Sequence, residues 1–146
     1  STQHVGSLKA NALYDIIYEV NKSEVDTVSK KLEKDNIKKY IKDTDLVIDA
    51  FDNLDSRKLV MDFCNKNQIP CVHAGVLTDF GEVVWNESYE LNKEQDNGLD
   101  ACDYPLARNI VLGVVVLASE IIINYFIDNT KHNAIICLKN LSVRFI

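Results

Sequence analysis

The sequence predicts an α/β protein built on a mixed, mainly parallel sheet flanked by helices. Two patterns carry the prediction. The first is a strand–helix–strand succession: apolar Leu46-Val47-Ile48, a helix from about Ser56 to Asn67 with Leu59, Val60, Phe63 and Cys64 turned inward, then "IPCVHAGV" over 69–76. Such a unit crosses over right-handedly and delivers two parallel strands whose carboxyl ends open on one edge of the sheet. The second is "TDFG" at 78–81 leading into "EVVWN", a tight turn that adds an antiparallel strand and makes the sheet mixed.

The remaining elements follow from the same periodicities. Leu13, Ile16, Ile17 and Val20 take the i, i+3, i+4, i+7 positions of an amphipathic helix beginning near Gly6, with Lys9 in its first turn. "EVDTVS", 24–29, alternates as a strand does, and "DNIKKYIKD" gives a brief helical turn. "NESYELNKEQDNGLDACD", 86–103, is polar and has neither period, so it reads as a long loop. Pro105 suits the first turn of a helix running to about Asp128, and "AIICLKNLSVRFI" closes the chain as one or two strands.

At 146 residues, the chain reads as a single domain over 1–146. It is 47% hydrophobic and 26% charged with few glycines and prolines, an ordinary globular profile. A net charge of −6 without a Lys/Arg cluster argues against a nucleic-acid surface, which needs concentrated positive charge. Ile110 to Ile127 is long enough to cross a bilayer, yet Ser119, Glu120 and Asn124 interrupt it, so a buried core helix is expected rather than a membrane span. Cys64, Cys71, Cys102 and Cys137 form no C-x-x-C pair, so no local zinc site is written; they read as reduced thiols, and the compartment as the cytoplasm.

The chemistry concentrates in "DLVIDAFDNLDSR", 45–57, where an apolar strand runs into several charges. In open α/β sheets, ligands sit outside the carboxyl ends of the strands, and Asp52 and Asn53 fall there. A carboxylate beside the N-terminus of the next helix can hold a hydrated Mg²⁺ whose other ligands are phosphate oxygens, because that ion takes hard oxygen donors. A plainer reading has Asn53 or Asp55 capping the helix and Arg57 pairing with a neighbouring acid. Asp49 lies inside the strand, so it needs hydrogen-bond partners whether its role is structural or catalytic. His73, at the end of the second strand, either faces the same cleft or is satisfied by a backbone group. Arg108 and Asn109 serve either a partner contact or a cap; Trp85 serves either a protein contact or the core; Cys64 and Cys71 pack as small apolar residues.

Four segments in order resemble the ThiF, MoeB and HesA family, bacterial relatives of the ubiquitin-activating enzymes: "STQHVGSLKA" (1–10), "DLVIDAFDNLDSR" (45–57), "IPCVHAGV" (69–76) and the G-x-V of "GEVVW". The family's signature pieces read V-G-x-x-K-A and D-x-V-I-D-x-x-D-N-x-x-x-R. The resemblance covers residues 1–85 well and continues more loosely to the end. It implies the distal part of a Rossmann-like activating-enzyme fold. The implied activity is adenylation, with Mg-ATP, of the C-terminal glycine of a ubiquitin-like or sulfur-carrier protein, often followed by sulfur transfer or thioester formation, in thiamine, molybdenum-cofactor or related pathways. Lys9 is then the phosphate-binding lysine, Asp52 the acid positioning Mg-ATP with Asn53 beside it, and Cys102, near the start of the long helix, a candidate nucleophile or persulfide carrier. A cysteine tucked under the loop is the plainer reading of Cys102. A homodimer is expected.

The departure from the family is as informative. Its G-x-G-x-x-G turn, ribose acid and zinc-binding cysteine pairs are not written here; Gly6, Gly75, Gly81, Gly98 and Gly113 form no phosphate cradle. The chain therefore reads as the C-terminal portion of such a domain, with no structural zinc and weak ATP binding by itself. A non-catalytic scaffold that docks a carrier protein or completes a dimer is the alternative, and the missing glycine fingerprint weakens a nicotinamide-dependent dehydrogenase.

Overall fold

A computed structural model of the chain describes residues 8–91 and 108–146. The chain divides into two compact units, 1–32 and 33–146. The first holds helix α1 (Lys9–Asn21), which opens after Leu8 and ends at Lys22 in the left-handed conformation (φ 54°), with the Lys22 N–H on Tyr18 O. The alternation at 24–29 does not form a strand: Thr27 and Ser29 hydroxyls donate to Asn11 Oδ1, and nothing within the described part of this unit offers a strand edge to pair with.

The second unit is a five-stranded sheet in the order β1-β2-β3-β4-β5, with β1 (Val47–Asp49), β2 (Cys71–Leu77), β3 (Phe80–Trp85), β4 (Ala134–Cys137) and β5 (Ser142–Phe145). Helix α2 (Ile37–Ile41) precedes it, α3 (Leu54–Asn67) links β1 to β2, and α4 (Arg108–Asp128) precedes β4. The sheet is mixed as expected, but parallel pairing is confined to β1–β2; the other three pairings are antiparallel. The reason is connectivity. Helix α3 provides the parallel crossover, β2–β3 and β4–β5 are joined by short turns that force the chain back on itself, and after α4 the chain returns so that β4 runs antiparallel to β3.

Helix α3 begins two residues earlier than its periodicity suggests because Asn53, extended at φ −130°, accepts the Ser56 N–H on its side-chain oxygen at 2.9 Å. Asp55 therefore lies in the first turn, where its charge complements the helix N-terminus, and is not the cap. The helix stops at Gln68, left-handed at φ 57°, and Ile69 N returns to Cys64 O at 3.0 Å, which aims the chain into β2.

Strand alternation gives the sheet two different faces. On one, Val72, Val83, Trp85 and Ala134 pack against Val114, Ala118 and Ile121 of α4. On the other, Cys71 and His73 meet residues of α3 and the β1 carboxylate. Helix α4 is not the fully buried helix expected from its composition. Ile110, Val114, Ala118 and Ile121 are buried in an i, i+4, i+8, i+11 stripe, while Val111, Leu112, Val115, Val116, Ile123, Phe126 and Ile127 are exposed. Among the described residues, α4 is also the one helix long and apolar enough by composition to cross a membrane.

Close approach of α4 depends on Gly81, where a Cβ would overlap the Val114 side chain and press on Ile136 and Ile110. Gly81→Ala should therefore destabilise the chain by about 1–3 kcal/mol through overpacking. Ile121→Ala, which empties a site 2% exposed, should cost about 2–5 kcal/mol. Urea unfolding followed by circular dichroism measures both, and the control Val115→Ala, at an exposed position of the same helix, should change the midpoint little.

Candidate functional site

The loop between β1 and α3 leaves the sheet at its carboxyl edge and carries Asp52 and Asn53. Asp52 is exposed, and its Oδ1 accepts from Asn53 Nδ2 at 3.2 Å. Asn53 thus faces two ways: its oxygen caps α3 and its nitrogen steadies Asp52. The second Asp52 oxygen has no protein partner among the described residues. That donor set suits Mg²⁺, which commonly takes one or two carboxylate oxygens and fills its octahedron with water and substrate phosphates. No group of three or more metal-ligating side chains exists among the described residues, so any metal here depends on ligands from elsewhere.

Beneath the loop, on the α3 face of the sheet, lies a buried polar cluster. Parallel register sets Asp49 opposite His73, and the two side chains bond directly, His73 Nδ1–H to Asp49 Oδ2 at 2.7 Å. The other Asp49 oxygen accepts the Phe51 N–H at 2.9 Å. Arg57, from the first turns of α3, reaches back over the strands: its Nη1 lies 3.5 Å from Asp49 Oδ2 and donates to Tyr89 Oη at 3.3 Å, and its Nη2 donates to Ala74 O at 2.8 Å. Arg57 is thus neither a surface pair nor a free cation.

His73 Nε2 faces Asn86 Oδ1 at 2.6 Å. The Asn86 amide is oriented by its own donor group, which reaches Met61 O and Asn65 Oδ1, so its oxygen is the atom left for the ring. Tyr89 stacks on the imidazole with centroids 3.8 Å apart and planes 7° from parallel. Burial raises the Tyr89 hydroxyl above its ordinary value despite the adjacent Arg57, and it raises the Glu82 carboxyl likewise. The histidine is therefore satisfied by side chains from both directions, where the sequence suggested a backbone partner or an open cleft.

Cys64 and Cys71 are fully buried beside this cluster and share a thiol hydrogen bond. That bond, with burial, pushes the Cys71 thiol well above its ordinary value, so it stays a thiol. Trp85 belongs to the core, 1% exposed and packed against Tyr125, with Lys131 above its ring. Lys9 is exposed at the first position of α1, Arg108 opens α4, and Asn109 is exposed next to it. Cys102 lies outside the described residues. Asn65, Asn86 and Tyr89 gave no individual signal in the sequence, since Asn86 and Tyr89 sit in a stretch that reads as polar loop. The signal that existed was pairwise: aligning the two parallel strands by their apolar residues puts Asp49 against His73.

The model of the ThiF family matches residues 1–123. The SAMP-activating enzyme E1 of Haloferax volcanii is 32% identical over 73 residues, which is 49% of this chain and 27% of that protein. Solved structures with the same fold include E. coli MccB with succinimide (TM-score 0.76, 13% identity, 100% of this chain and 49% of that one). Another is PaaA (TM-score 0.72, 14% identity, 100% of this chain and 57% of that one). The chain thus spans about a quarter of the length of that sequence relative and about half the length of these structures. With the family's segments in order along the sequence and its Rossmann-like architecture in the structure, this chain belongs to the ThiF family.

Proposed function

We propose that this chain supplies the metal-positioning part of an ATP-dependent adenylation centre that activates the C-terminal glycine of a ubiquitin-like or sulfur-carrier protein. The observation that carries the reading is the exposed Asp52, held at the carboxyl end of β1 with one oxygen unpartnered among the described residues, in a member of the ThiF family. The names of its relatives point the same way: one is a SAMP-activating E1, and MccB has been solved with ATP and with MccA.

In the proposed reaction, a carboxylate oxygen of the carrier attacks the α-phosphorus of ATP, the bond to the bridging oxygen breaks, and pyrophosphate leaves. Mg²⁺ bound with the phosphates offsets the charge that builds up there. Asp52 orients that ion, Asn53 holds Asp52 through its amide, and Lys9 supplies an ammonium to the phosphates. The Cys102 thiolate then attacks the acyl-adenylate carbonyl to form a thioester as AMP leaves, or Cys102, loaded as a persulfide by a sulfane-sulfur donor, attacks the same carbonyl through its outer sulfur as AMP leaves. Residues 1–146 act as the C-terminal portion of the adenylation domain, in the cytoplasm, without structural zinc, nucleic acid or membrane. The exposed apolar face of α4 supports association into a homodimer. It equally favours the second reading, a scaffold that docks a carrier protein without chemistry.

Two measurements test this. Pyrophosphate exchange, with a β-grasp carrier ending in glycine and the glycine-rich half present, should fall by about 10²–10³ on Asp52→Ala, as when one electrostatic stabiliser of a transition state is removed. Carrier binding without exchange in the parent protein favours the scaffold. Isothermal titration of the 146-residue chain alone with Mg-ATP should show no micromolar affinity, because no glycine-rich cradle for the phosphates is written in its sequence. Micromolar binding would refute that dependence on the missing half.

A further inference from the structure

The loop that carries Asp52 is anchored at both ends. Its far end is fixed by the Asn53 cap on Ser56 N. Its near end is fixed by Asp49, whose Oδ1 accepts the Phe51 N–H at 2.9 Å. Asp49 can hold that bond only while its carboxyl group keeps one rotation about Cβ–Cγ. The other oxygen sets the rotation: it takes the His73 Nδ1–H at 2.7 Å, with Arg57 Nη1 further off at 3.5 Å.

His73 cannot drift. It is 0% exposed, its Nε2 meets Asn86 Oδ1 at 2.6 Å, and Tyr89 covers its ring. Asn86 is tied to α3 through Met61 O and Asn65. A continuous set of bonds therefore runs from α3 through Asn86, His73 and Asp49 to the backbone of Phe51, one residue before Asp52.

We propose that His73 is a positioning residue: acting through Asp49, it holds the 50–53 loop in the conformation that presents the Asp52 carboxylate. It acts on the loop backbone and carries no proton for the reaction. The loop claim stands on the geometry; its catalytic meaning rests on the reading of Asp52 as the Mg-ATP acid.

The two ring nitrogens make different predictions, which separates positioning from space-filling. Asparagine places an N–H near the Nδ1 position and glutamine near Nε2. His73→Asn keeps the bond to Asp49 and loses that to Asn86; His73→Gln does the reverse. In the full chain, amide exchange at Phe51 should stay within about threefold of the parent for His73→Asn and accelerate about tenfold or more for His73→Gln, with β4 and β5 unchanged in both. Equal acceleration in the two variants, or none in either, overturns the proposal. If neither variant folds, the parent decides: Phe51 N–H should exchange about 100-fold more slowly than an unstructured amide, and exchange at the unstructured rate overturns the proposal. In the exchange assay, His73→Gln should raise KM for Mg-ATP about tenfold more than it lowers kcat, while His73→Asn keeps both near parent values. A loosened loop with unchanged KM supports the role of His73 in the loop and overturns the assignment of Asp52 to Mg-ATP.

Discussion

A carboxylate sits inside this sheet. Asp49 is 1% exposed at the last position of β1, and an ionised group so placed costs several kcal/mol unless it is paired and hydrogen-bonded. Its surroundings meet that demand from three directions: the Phe51 backbone, the His73 ring and the Arg57 guanidinium. Each supplier has needs of its own. His73 requires Asn86, Asn86 requires the carbonyl and amide of α3, and Arg57 requires Ala74 O and Tyr89. Burying one charge thus fixes the position of α3 on the sheet, the register of β1 against β2, and the return of the chain after β3.

The two faces of the sheet divide the labour. The α4 face is apolar and close-packed, with Gly81 and Ala134 admitting the helix, and its stabilisation is dispersion and desolvation that specify no direction. The α3 face holds a directional network of side-chain bonds at 2.6–2.8 Å. Directional bonds in a low-dielectric interior are what a mobile surface loop lacks, and the β1–α3 loop stands directly on them. Rigidity at the edge of the sheet is in this way borrowed from its interior.

Much of the fold is legible in the sequence. The β1–α3–β2 crossover, the hairpin to β3 and the long helix all follow from local period and turn residues, and the segment 45–57 marks the edge of the candidate site without a structure. Other features depend on distant partners. Residues 24–29 alternate as a strand does, yet a strand needs a neighbouring edge. The apolar α4 looks buried from composition, but one sheet face covers only one stripe of a helix. Arg57 and His73 stay ambiguous in the sequence because their partners lie up to 32 residues away, some on strands (Asp49, Ala74) and others in a stretch with no period of its own (Asn86, Tyr89). Asn86 and Tyr89 read as loop for the same reason; what orders them is a histidine on the neighbouring strand.

The turn between β2 and β3 carries one further consequence. Thr78 occupies the left-handed region at φ 53°, a costly conformation for a β-branched residue and one usually left to glycine or asparagine. The turn therefore contributes little stability of its own to the hairpin. Its register, His73 against Val84 and Gly75 against Glu82, must be decided by the strands, which can settle only once the polar partners of one face and the apolar partners of the other have arrived. Strand pairing here draws its specificity from long-range contacts on both faces more than from the turn, so the part of the sheet beneath the candidate site is only as well defined as those contacts.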